Sequence, residues 1–125
     1  MNWLRTIRRL WSERRHEVQI EVTRSGVLLR HSYGGRRPEG TESWAWLDVQ
    51  GIVGFKRDLI TTDLICWLIQ LRDGRAYELH EEARGWDSLT AAAPESLPGL
   101  SKTWWSDVAL PAFQLSETVV YERVR

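Results

Sequence analysis

Chemistry in this chain would have to come from few residues. Histidine occurs at His16, His31 and His80, and the one cysteine is Cys66. A nucleophilic thiol needs an imidazole within hydrogen-bond reach and surroundings that favour the thiolate. Cys66 lies instead within the apolar run Leu64-Ile65-Cys66-Trp67-Leu68-Ile69, where a free cysteine behaves as a small hydrophobe. Asp73-Gly74, read as a two-residue hairpin turn, sets Arg72 opposite Arg75, Leu68 opposite Leu79 and Gln70 opposite Tyr77. That register brings Trp67 across from His80, so Cys66 and His80 are close but point to opposite faces and form no dyad. Metal binding fares no better: the histidines and Cys66 have no tight pairing, and His80-Glu81-Glu82 lacks the second histidine of a zincin helix. Asp58 and Asp63 could do acid–base work, but are expected to pair with Lys56 and Arg57 across the connection between their strands. The loop Tyr33-Gly34-Gly35-Arg36-Arg37-Pro38-Glu39-Gly40 could cradle a phosphate, yet lacks the Gly-Lys-Ser/Thr ending of a phosphate loop and reads first as a solvated hairpin tip. No catalytic residue, metal ligand or cofactor is expected, and the chain reads as a non-enzyme.

Binding residues are better supplied. Eight tryptophans, Trp3, Trp11, Trp44, Trp46, Trp67, Trp86, Trp104 and Trp105, are more than one small core would comfortably take. Tryptophan and arginine are the residue types enriched where proteins bind one another. The residues expected to meet a partner are Trp3, Ile7, Trp11, Arg36, Arg37, Trp104 and Trp105.

The elements that must position these residues follow from periodicity. Trp3, Leu4, Ile7, Leu10 and Trp11 fall within an arc of about 120° at helical spacing, with Arg5, Arg8 and Arg9 facing the other way. This predicts an amphipathic helix over residues 1–15 as an appendage to one domain. It either lies on the sheet or binds a membrane surface or partner, since so short a helix is marginal alone. Alternation from Glu17 to Val22 and the run Val27–His31 predict a first hairpin turning at Ser25-Gly26. A third strand follows near Glu42–Trp46, then a corner at Leu47–Gln50. Gly51–Lys56 is the fourth strand, with Lys56-Arg57-Asp58 charging the connection to a fifth at Thr62–Arg72. The fifth is apolar almost throughout, so it should be central and covered on both faces. Arg75–His80 is the sixth. Gly85–Ala93 then puts Trp86, Leu89 and Ala93 on one helical face, with Pro94 closing it, and Leu97-Pro98-Gly99 is a turn. Ser101 reads as the N-cap of a second short helix carrying Trp104, Trp105 and Val108, stopped by Pro111. Thr118–Tyr121 is a last extended segment.

Composition sets the wider bounds. A chain of 125 residues with 42% hydrophobic and 27% charged residues is a single globular domain. A lone cysteine permits no internal disulfide and fits a reducing compartment, no secretory signal or membrane-length apolar run is visible, and a cytoplasmic location is expected. Net charge is zero but uneven: residues 1–40 carry nine Arg against four Glu, and residues 41–125 carry eight Lys or Arg against thirteen Asp or Glu. A basic end should therefore meet an acidic surface, its own or a partner's, while the main domain is too acidic for a nucleic-acid footprint.

Six antiparallel strands followed by helix resemble a pleckstrin-homology-like sandwich, a bent sheet of six or seven strands closed at one end. The spacing is similar to that of a group of small bacterial proteins of uncharacterised activity. It is carried here by Phe55-Lys56-Arg57-Asp58-Leu59, Thr62-Asp63-Leu64-Ile65-Cys66, Asp73-Gly74, Gly85-Trp86 and Leu97-Pro98-Gly99. Further on it is carried by Trp104-Trp105, Pro111-Ala112-Phe113 and Glu117-Thr118 before Tyr121. The resemblance spans about residues 43–123 and implies an α+β fold; no activity comes with it. The long C-terminal portion departs from the simplest pleckstrin-like plan, which ends at its helix. The function expected is a protein-interaction module, an immunity or adaptor protein, with homodimerisation possible. The alternative is peripheral membrane binding through the N-terminal stripe.

Overall fold

The computed structural model describes residues 16–33, 39–58, 62–110 and 117–124. The expected N-terminal helix, with Trp3, Ile7 and Trp11, lies outside these residues, as do Arg36 and Arg37. The fold is α+β, built on two antiparallel sheets. Strands β1 (His16–Val22), β2 (Gly26–Tyr33) and β3 (Gly40–Ala45) form the first sheet in chain order. A short 3₁₀ turn, Trp46–Asp48, leads to β4 (Val49–Asp58), β5 (Asp63–Leu71) and β6 (Ala76–His80). Helices α1 (Trp86–Ser96) and α2 (Trp104–Ala109) precede β7 (Thr118–Glu122), which returns to pair with β4. The second sheet therefore runs β6-β5-β4-β7.

The nearly unbroken apolar run of β5 is buried from Leu64 to Ile69, as a central strand covered on both faces must be. Its inward residues Ile65, Trp67, Ile69 and Leu71 join Ile20, Val27, Leu29 and Trp44 of the first sheet in the main core. Its outward residues Leu64, Cys66 and Leu68 form a second cluster with Phe55. Both described helices serve the inner side. Trp86, Leu89 and Ala93 of α1 are buried, the face that the 3.6-residue period marks out. Val108 of α2 sits over Gly54, where a Cβ would come within 2.7 Å of its Cγ2. Between sheets, Trp44 stacks on Tyr77 at 4.7 Å, and Arg75 Nη1 donates to the Ser43 carbonyl at 3.4 Å.

Four expectations need correction. Asp73-Gly74 does not make a two-residue turn. Leu71 N–H donates to the Arg75 carbonyl and Gly74 N–H to the Leu71 carbonyl, so Arg72-Asp73-Gly74 is a three-residue loop with Gly74 at φ 95°. Asp73 holds it by accepting from the Arg75 backbone N–H at 2.9 Å and from Arg75 Nε at 2.8 Å. The extra residue moves the register by one: Trp67 pairs with Leu79, Ile69 with Tyr77, Leu68 with Glu78 and Cys66 with His80. Because strand faces alternate, this register places Leu79 in the core and His80 outside it. Second, the fourth strand runs on past Lys56, so Arg57 and Asp58 belong to β4 rather than to a connection, and Lys56 is buried. Third, Pro94 lies inside α1, in its final turn, where the Leu97 N–H still closes on the Ala93 carbonyl. Finally, Thr103 rather than Ser101 precedes α2. The Ser101 backbone N–H is spent on the Val120 carbonyl, and its hydroxyl accepts from Thr103 N–H.

Candidate functional site

Two regions bring together side chains able to do more than hold the fold. The first is the exposed side of α2. Trp104 and Trp105 are adjacent on a helix, hence about 100° apart around its axis, and their surroundings differ accordingly. Trp104 turns to the core, packing edge-on against Trp67 at 4.8 Å and near Trp86 at 6.3 Å. Trp105 turns outward and is 53% exposed. Of the described tryptophans it is the one more than half exposed; Trp44, Trp46, Trp67 and Trp86 are buried. The helix beneath it is pinned at two points, by Val108 against Gly54 and Val120, and by Lys56 Nζ donating to the Ala109 carbonyl at 3.3 Å. Asp107 accepts from the Thr103 hydroxyl at 2.8 Å across its first turn. Leu110 at the end of α2 adds exposed apolar surface.

The second region is the outer face of the β6-β5-β4-β7 sheet. The observed register aligns Arg57 with Leu64, Phe55 and His80 with Cys66, and Val53 and Glu78 with Leu68. Arg57 and Glu78 thus flank Cys66 diagonally, and they meet at 2.6 Å with both side chains largely buried. Cys66 and His80, expected on opposite faces, share this one. Their chemistry is nonetheless subdued. Burial, and then the charge of Glu78, push the Cys66 thiol far up, so it stays protonated, with its Sγ 3.7 Å from the Leu64 carbonyl. His80 Nδ1 accepts from the Glu82 N–H, and burial holds the imidazole below its ordinary value. A protonated thiol beside a neutral imidazole is a packed pair rather than an activated nucleophile. Sequence reasoning missed the Arg57–Glu78 pair, because its partners come together only in the shifted register. Asp63 does reach Lys56, at 3.7 Å, as expected. Among the described residues no group of three or more His, Cys, Asp or Glu is placed to hold a metal ion, and no helix is long and apolar enough to cross a membrane.

No family model, curated protein or solved structure matches this chain.

Proposed function

We propose that this protein is a non-enzymatic interaction module that engages a protein partner through the exposed side of α2, with Trp105 as its anchor. The observation that carries the reading is a tryptophan left more than half in water on a helix fixed from below by Val108 and Lys56. Large aromatics on rigid supports are the usual anchors of binding hot spots, because little side-chain freedom is lost on contact. Leu110 enlarges the apolar surface. A pleckstrin-homology-like relationship belongs to this proposal. Seven strands in two antiparallel sheets with C-terminal helices support it, and the return of β7 after those helices is its departure from the plan. A cytoplasmic setting is part of the same reading.

The test is retention of partners by tagged protein at native abundance, with Trp105→Ala as the paired control. Truncating a hot-spot tryptophan costs about 2 kcal/mol or more of binding, so the bound fraction should fall by more than tenfold while the urea transition stays in place. Equal retention by both proteins, or none by either, would sink the reading. Self-association through the same surface would appear as a dimer in sedimentation that Trp105→Ala abolishes. The competing reading, membrane binding through the stripe Trp3, Leu4, Ile7, Leu10 and Trp11, predicts sedimentation with anionic liposomes that is lost when the stripe is interrupted.

A further inference from the structure

We propose that the outer face of the β6-β5-β4-β7 sheet is the docking surface for residues 1–15 of the same chain. Phe55, Leu64, Cys66 and Leu68 on this face are at most 6% exposed, as thoroughly covered as the main core. Both described helices lie on the opposite face, and among the described residues the Arg57–Glu78 pair, Val53 and His80 flank this one. Near-complete burial of Phe55, Leu64, Cys66 and Leu68 requires more apolar cover than these flanking side chains supply.

The path of β1 leaves residues 1–15 within reach of this face. Ile20 N–H donates to the Arg84 carbonyl at 2.7 Å, and Gln19 bridges Arg84 in parallel, so β1 runs alongside the segment leaving β6. The start of β1 at His16 therefore lies toward the His80 end of β6, an edge strand of the second sheet. Fifteen residues at a helical rise span about 22 Å, against roughly 14 Å across four strands. The chemistry is complementary as well. Trp3, Leu4, Ile7, Leu10 and Trp11 offer an apolar stripe to an apolar face. Residues 1–15 carry five arginines against one glutamate, while the exposed Glu81 and Glu82 follow β6 and the exposed Glu117 precedes β7, the two edge strands of this sheet; Glu78 is already paired with Arg57. Such a match favours this occupant over an acidic or neutral one.

Cys66 is the chain's one cysteine and sits in the middle of the face, so its labelling by an aromatic disulfide reagent reads the cover directly. Wild-type protein should label far more slowly than a free thiol. Ile7→Asp, in the full-length chain, should label at least ~10-fold faster with its urea transition retained, since local opening then suffices for access. Asn2→Ser, an uncharged change on the polar side of the stripe, should label at the wild-type rate. A wild-type rate in folded Ile7→Asp would overturn the proposal. Should Ile7→Asp lose its transition, the milder Trp11→Ala gives the reading: several-fold acceleration supports the docking, and none overturns it. Acceleration by Phe113→Asp but not by the stripe variants would assign the cover to residues 111–116. Wild-type labelling that speeds up on dilution would assign it to a second copy. Either result overturns the proposal.

Discussion

Gly85 and Gly74 both adopt a positive φ, at 89° and 95°, but their surroundings make them unequal. Around Gly74 a Cβ would meet nothing within 4 Å, so Gly74→Ala incurs only the left-handed backbone penalty, ~1–2 kcal/mol. At Gly85 the same Cβ would collide with the Ile20 carbonyl, beside the Ile20–Arg84 hydrogen bond that ties β1 to the β6–α1 connection. Gly85→Ala adds a displaced strand seam to the backbone penalty and should cost roughly 3 kcal/mol or more. Urea midpoints of the two variants decide it; equal losses would show that the seam carries no strain. At this scale the sequence was only partly legible. Asp73-Gly74 announced a turn, but whether the loop held two residues or three depended on Leu71 bonding to Arg75 across it. Local propensity does not set that choice; the gain from seating Leu79 against Trp67 does.

Among the elements, the outer faces of β4, β5 and β6 carry a pair of titrations with opposite signs. Burial holds the Glu78 carboxyl above the usual carboxylate range, against the pull of Arg57. In the window above a carboxylate's ordinary pKa of about 4.3, the folded protein then binds the proton more readily than the unfolded chain, and stability rises as pH falls. Burial lowers the His80 pKa, so the unfolded chain takes that proton first, and stability falls as pH drops below about 6.5. The two effects oppose each other between neutrality and mild acid. His80→Gln should leave the Glu78 contribution, so its urea midpoint should fare better on acidification than wild type. Glu78→Gln should leave the His80 contribution and fare worse. Slopes with pH are the quantity to compare, since Glu78→Gln also weakens the pairing with Arg57 at every pH; parallel slopes for all three proteins would refute the assignment. The strands themselves were legible from period and composition, β5 above all. The Arg57–Glu78 pair was not, because which polar residues meet across a sheet is a property of register.

Taken whole, the molecule is organised around Trp67. Its ring is fully buried, pairs with Leu79 across β5 and β6, and meets Trp86 of α1 at 5.3 Å and Trp104 of α2 at 4.8 Å. One side chain thus joins the second sheet to both described helices. The apolar run around it made burial of Trp67 readable in advance. The company of Trp86 and Trp104 was not, since nothing local relates residues so far apart in sequence. Trp67→Ala should cost ~3–5 kcal/mol, the usual result of emptying a large core site. Against a total of ~5–15 kcal/mol, that is a large share. Trp67→Phe separates packing from polarity. The Trp67 Nε1–H is buried with no acceptor among the described residues, and such a group costs ~1–3 kcal/mol. Phenylalanine fills most of the site and removes that donor, so it should lose less than half of what alanine loses. Near-UV circular dichroism should weaken in both variants, because each dismantles the edge-on contacts with Trp86 and Trp104. A urea midpoint unmoved by Trp67→Ala would show that this ring does not hold sheet and helices together. Equal losses in both variants would mean that the indole N–H has an acceptor that phenylalanine cannot replace.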